Sequence, residues 1–120
     1  MSVSDLIGKT LVSVEKSDGN YDDRIVFTTE DGEQYAMYHS QDCCESVRID
    51  DITGDLNDLV GTPILMAEEV SDGEEPKLDY VPESFTWTFY KFATVKGYVT
   101  IRWFGESNGY YSESVDFCKM

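Results

Sequence analysis

Basic residues are scarce in this chain. Nine Lys and Arg stand against 24 Asp and Glu, a formal net charge of -15. A field of that sign repels nucleic acid and anionic membranes and attracts cations or basic protein surfaces. Direct binding to nucleic acid or to a membrane is therefore not expected. Long apolar runs are missing too, and none approaches the roughly 20 residues a spanning helix needs. The opening MSVSDLIGKT lacks the basic-then-apolar order of a secretory leader. Cysteine is limited to Cys43, Cys44 and Cys118. An odd count with two adjacent members is not a secreted disulfide framework, so the expected location is a reducing cytoplasm. The glycine-rich phosphate loops, the Gly-x-Ser-x-Gly elbow and the His-Glu-x-x-His zinc pattern are all absent. Nothing in the sequence names a reaction, and the chain is not expected to be an enzyme.

What is present is aromatic and unevenly placed. Phe85, Trp87, Phe89, Tyr90, Phe92, Tyr98, Trp103, Phe104, Tyr110, Tyr111 and Phe117 all fall in the last third. A chain of 120 residues has the size of one domain with one core, taken as residues 1–120. Charge is segregated as well. Residues 42–75 carry eleven acidic side chains and one basic, whereas residues 84–120 carry three acidic and four basic.

Short β-like runs separated by turn signals dominate. Thr10–Glu15, Arg24–Thr29, Gln34–His39, Val47–Ile52 and Ile64–Val70 read as strands. Asp31-Gly32 joins the second and third as a hairpin. Ser17-Asp18-Gly19-Asn20 reads as a turn and Ser71–Pro82 as a loop. Ser2 or Ser4 can cap a turn around Val3–Ile7. Asp55 can cap another over Leu56, Leu59 and Val60, ended by Gly61. In the last third, Phe85, Trp87 and Phe89 alternate with Thr86, Thr88 and Tyr90. Val99, Ile101 and Trp103 alternate with Thr100, Arg102 and Phe104. Asn108-Gly109 suggests a further hairpin into Tyr111–Cys118, so three consecutive strands read as a meander. The expected fold is mainly β: an antiparallel twisted sheet or partly closed barrel with one or two short helices. The expected core is Ile25, Phe27, Leu59, Ile64, Phe85, Trp87, Phe89, Val99, Ile101 and Trp103.

The densest chemical cluster is Tyr38-His39-Ser40-Gln41-Asp42-Cys43-Cys44-Glu45, which holds the single histidine. Imidazole and thiolate suit zinc, so His39, Cys43 and Cys44 are candidate ligands, with Cys118, Asp42 or Glu45 as a fourth. Alternatively His39 could deprotonate Cys43 or Cys44, with Asp42 or Glu45 orienting the ring. A redox switch through a vicinal disulfide or one linked to Cys118 is a third reading. The plain reading is structural, with buried cysteines and a histidine satisfying backbone groups at a strand end. The carboxylates from Asp50 to Asp58 lack the order of a calcium-binding EF-hand loop.

The string His39-Ser40-Gln41-Asp42-Cys43-Cys44-Glu45, continuing through Asp50–Ile64, resembles a family of small phage- and prophage-encoded proteins of unknown function. Trp87–Phe92 and Ile101-Arg102-Trp103 share the likeness, which spans nearly the whole chain. The resemblance implies viral origin and expression in a bacterial host cytoplasm, and carries over no catalytic residue. Together with the charge it favours a non-enzymatic binder of a host protein with a basic surface, such as an inhibitor of a defence or nucleic-acid-handling system. Asp50, Asp51, Asp55, Asp58, Glu68 and Glu69 are the expected contact residues. A zinc-stabilised binding module and a cysteine-dependent enzyme are the alternatives.

Overall fold

The computed structural model describes residues 2–17, 23–41, 44–72 and 83–120. Eight strands are seen among them: β1 (Leu11–Ser17), β2 (Arg24–Thr29), β3 (Gln34–Tyr38), β4 (Ser46–Thr53), β5 (Met66–Asp72), β6 (Ser84–Thr94), β7 (Gly97–Ser107) and β8 (Asp116–Lys119). They form two four-stranded sheets, ordered β1-β2-β3-β8 and β4-β7-β6-β5, with every pairing antiparallel. Neither sheet closes into a barrel.

Period-2 patterning explains the strands. In β2 the inward Ile25 and Phe27 are fully buried, while Val26 and Thr28 are only partly covered. The turn after β2 is held by Gly32 at φ +84°, a conformation glycine adopts without strain. The inner faces of the two sheets meet in one cluster. Phe27 lies 5.6 Å from Phe92 between ring centroids, and Trp103 Nε1 donates to Met37 Sδ at 3.2 Å. The turn expected at residues 17–20 lies outside the described residues except for Ser17. So does the loop expected at residues 71–82, except that Ser71 and Asp72 extend β5.

Both expected helical segments are single 3-10 turns. The first, Val3–Leu6, is capped by Ser2 in a capping box with Asp5, and it buries Val3 and Leu6. The second, Leu56–Leu59, is capped by the Asp55 side chain, which accepts from the Asn57 amide at 2.9 Å. The second turn is tied to the β6–β7 hairpin by Thr94 Oγ1 donating to the Asp58 carbonyl and Lys96 Nζ donating to the Val60 carbonyl.

Two expectations fail. Tyr111–Cys118 does not continue the meander. β8 begins at Asp116 and pairs with β3 in the other sheet, aligning Ala36 with Cys118 and Met37 with Phe117. The Asn108-Gly109 turn forms, with Gly109 at φ +92° and the Tyr110 amide donating to Asn108 Oδ1. It launches a crossover over the sheet end instead of a hairpin. The core face of β6 is also the other one. Tyr90 and Phe92 are buried against the first sheet, while Phe85, Trp87 and Phe89 are half-buried on the outer face. The remaining expected core residues, Ile25, Phe27, Leu59, Ile64, Val99, Ile101 and Trp103, are buried.

Candidate functional site

The chain passes between the sheets twice at one end of the molecule, first from β3 to β4 and later from β7 to β8. His39 joins both passages. Its Nδ1 lies 2.7 Å from the Ser114 carbonyl and its Nε2 lies 2.9 Å from Glu45 Oε2. The ring and the carboxylate are both buried. A carbonyl only accepts, so Nδ1 carries a proton, and a second proton sits between Nε2 and the Glu45 carboxyl. Gln41 Nε2 donates to the Glu45 carbonyl at 2.6 Å and to Oε1 at 3.2 Å, which extends the network.

This geometry bears on the chemistry expected of His39, Cys43 and Cys44. Both imidazole nitrogens are engaged, so neither faces a thiol or offers a lone pair to a metal without breaking a buried hydrogen bond. Glu45 does hold the ring, as expected of an orienting group, but it occupies the nitrogen a base would use. Cys44 is exposed and disulfide-bonded, and Asp42 and Cys43 lie outside the described residues. Cys118 is free and half-buried, with its sulfur 3.4 Å from the Tyr38 hydroxyl, whose pKa is raised chiefly by that contact. Among the described residues no group of three His, Cys, Asp or Glu side chains could hold a metal ion.

The six acidic candidates do not form one patch. Asp50 and Asp51 lie on β4, while Asp55 and Asp58 belong to the adjacent second turn. Glu68 and Glu69 lie on β5 at the opposite edge of the same sheet. Three strand spacings, roughly 14 Å, separate the edges. The strands between them carry Arg102 and Lys91. Asp50 is tied to Arg102 at 2.5 Å and Asp55 is used as a cap. Asp51, Glu68 and Glu69 are exposed, and no ion pair engages them among the described residues.

A polar cleft of about 320 Å³ opens where the inner face of β5 and β6 runs past the first sheet and meets the 108–115 crossover. It is lined by Glu69, Ser71, Ser84, Thr86, Thr88, Gly109, Tyr111, Ser112, Glu113 and Ser114. Glu113 is its fixed point. Burial raises its carboxyl pKa, but hydroxyl donors from Ser107, Ser84 and Thr86 outweigh that and hold it below the ordinary value. The Ser107 and Thr86 contacts are 2.5 and 2.8 Å. The crossover lies directly on β7, where a Cβ on Gly105 would come 2.7 Å from the Glu113 carbonyl. Across the cleft, Tyr90 donates its hydroxyl to Glu69 at 3.2 Å, and burial pushes the Tyr90 pKa far up. Apart from Glu69, sequence reasoning did not find the cleft. The available signal was the hydroxyls of Ser71, Thr86 and Thr88 at strand positions that alternate with apolar ones.

These features define an acidic, antiparallel β protein whose two sheets share one core, with a buried His-Glu tie beside a carboxylate-lined cleft. The chain belongs to the family described as a domain of unknown function (DUF7448), which matches residues 4–117. No curated protein and no solved structure matches it.

Proposed function

We propose that this chain is a non-enzymatic binding protein whose partner is a protein with a basic surface. In this reading it is a phage-type protein that acts in a bacterial host cytoplasm, on a host system for defence or for handling nucleic acid. The observation that carries the reading is the set of exposed carboxylates at Asp51, Glu68 and Glu69, which have no ion-pair partner among the described residues. They sit on strands, so little ordering cost attends their use. Carboxylates presented on a rigid edge can occupy a groove built for phosphate, and such charges chiefly raise the association rate.

The test is capture of partners from host lysate by the tagged full-length chain, followed by binding measurements over a range of salt. A basic partner is expected, with affinity falling steeply as salt rises. Asp51→Lys and Glu68→Lys, made separately, report which sheet edge is used. Asp55 is a poor choice, because its substitution also removes a helix cap. Salt-insensitive binding, or binding unaffected by either reversal, would refute the reading.

A further inference from the structure

We propose that the cleft between β5, β6 and the 108–115 crossover binds a single organic cation, a guanidinium or primary ammonium on a flexible stem. An arginine or lysine side chain of the basic partner is the source. The inference rests on the binding reading above and locates its specific contact.

The wall chemistry selects the charge. The ten lining residues include two carboxylates and no Lys, Arg or His. The hydroxyl cradle of Ser107, Ser84 and Thr86 keeps Glu113 anionic. Both of its oxygens accept, Oε1 from Thr86 and Oε2 from Ser107. A carboxylate oxygen can accept more than one hydrogen bond, so Glu113 is fixed in place with acceptor capacity left over. Glu69 accepts the Tyr90 hydroxyl through Oε1, and Oε2 has no partner among the described residues.

A second observation is independent of charge. Thr88 is only 3% exposed and lines the cleft. Its hydroxyl has no hydrogen-bond partner among the described residues. Thr62 Oγ1, and not Thr88 Oγ1, is the buried side-chain oxygen left without a partner among the described residues, so the Thr88 hydroxyl is open to the cleft, the side from which a donor can reach it. An anion would meet two carboxylates, and a neutral polyol would leave both uncompensated. A guanidinium or ammonium offers several donors at once and no acceptor, matching a wall rich in acceptors. The volume holds one such side chain with a few waters at roughly 30 Å³ each.

The experiment is an NMR titration of the isotope-labelled full chain with Nα-acetyl-arginine amide, Nα-acetyl-lysine amide and spermidine, with acetate and glucose as controls. Saturable shifts are expected at Ser71, Thr88, Ser112 and Glu113 with the capped cations and not with the controls. Glu69→Gln and Thr88→Val should each weaken binding at least fivefold while leaving the dispersed spectrum of the folded chain intact. Shifts spread evenly over Asp51 and Asp55, or binding indifferent to both variants, would overturn the site. Saturation by spermidine without the capped amino acids would overturn the side-chain source. If a captured basic partner binds both variants as well as wild type, the cleft proposal fails and the partner reading stands. If the capped cations bind but no basic partner exists in the host, the cleft remains and the partner reading fails.

Discussion

The two faces of the β4-β7-β6-β5 sheet are both aromatic, yet they are stabilised differently. On the inner face Tyr90, Phe92, Val99, Ile101 and Trp103 are fully covered by the first sheet. On the outer face Phe85, Trp87 and Phe89 are half-buried; Phe85 and Trp87 pack on Phe104, which is itself buried, and Phe89 packs on Trp87. Trp87 and Phe104 have ring centroids 4.6 Å apart. Arg102 lies 5.3 Å over Trp87 and Arg48 lies 5.0 Å over Phe104. Guanidinium groups take the place that a second sheet takes inside. They stack on apolar rings while keeping their polar edges wet. Aromatic mass along a strand is therefore a poor guide to which face is the core.

Ways of breaking that contrast can be ranked by size. Trp103→Ala should cost about 3–5 kcal/mol in urea unfolding, because a fully enclosed indole leaves a cavity. Gly105→Ala should cost about 1–3 kcal/mol, since the new methyl group meets the Glu113 backbone. Its amide shifts should concentrate in residues 108–115. Trp87→Ala should cost only about 1–2 kcal/mol, from lost stacking on Phe104 and Arg102. A loss equal to that of Trp103→Ala would show that the outer face is a second core. Arg102→Met removes both the cation over Trp87 and the ion pair with Asp50. About 0.5–1 kcal/mol is expected, falling with added salt.

The smallest effect concerns acid. The folded carboxyl of Glu113 titrates below its ordinary value of 4.5. Its stabilising contribution is then present above that value and is lost as pH falls through the lower folded one. Glu113→Gln should flatten the acid limb of a melting-temperature profile below about pH 4.5 and leave the slope near neutrality unchanged. An acid limb identical to wild type would mean that the hydroxyl cradle does not discriminate between charge states.

Local signals made much of the fold legible. Asp31-Gly32 placed the β2–β3 hairpin, and alternation placed β2 and the buried stripe Val99, Ile101 and Trp103 on β7. Asp55 was readable as a cap because its role is decided within two residues. Period 2 separates the faces of β6 but does not say which one meets another sheet, and here both carry large rings. The pairing of β8 with β3 depends on contacts remote in sequence, so the Asn108-Gly109 turn misled. The candidate site was read in part. The string around His39 drew attention by its residue types, and Glu45 was among its proposed partners. The Ser114 carbonyl was out of reach because any residue supplies one. The cleft was hidden for a related reason: its hydroxyls come from three separated segments, and register alone brings them together.

The strand exchange at the end of the chain has a consequence for how the protein reaches its fold. Tyr38 and Cys118, in contact across the β3–β8 pair, are 80 residues apart in sequence. The β1-β2-β3 portion can form early by local hairpin closure, whereas β8 must wait for a long loop to close, an entropic cost that slows folding. Until β8 arrives, Tyr35 lacks the stacked ring of Phe117 and β3 presents an unpaired edge, a template for pairing with another copy. Any delay in docking this one four-residue strand would lengthen the time for which the β3 edge stays open to another copy.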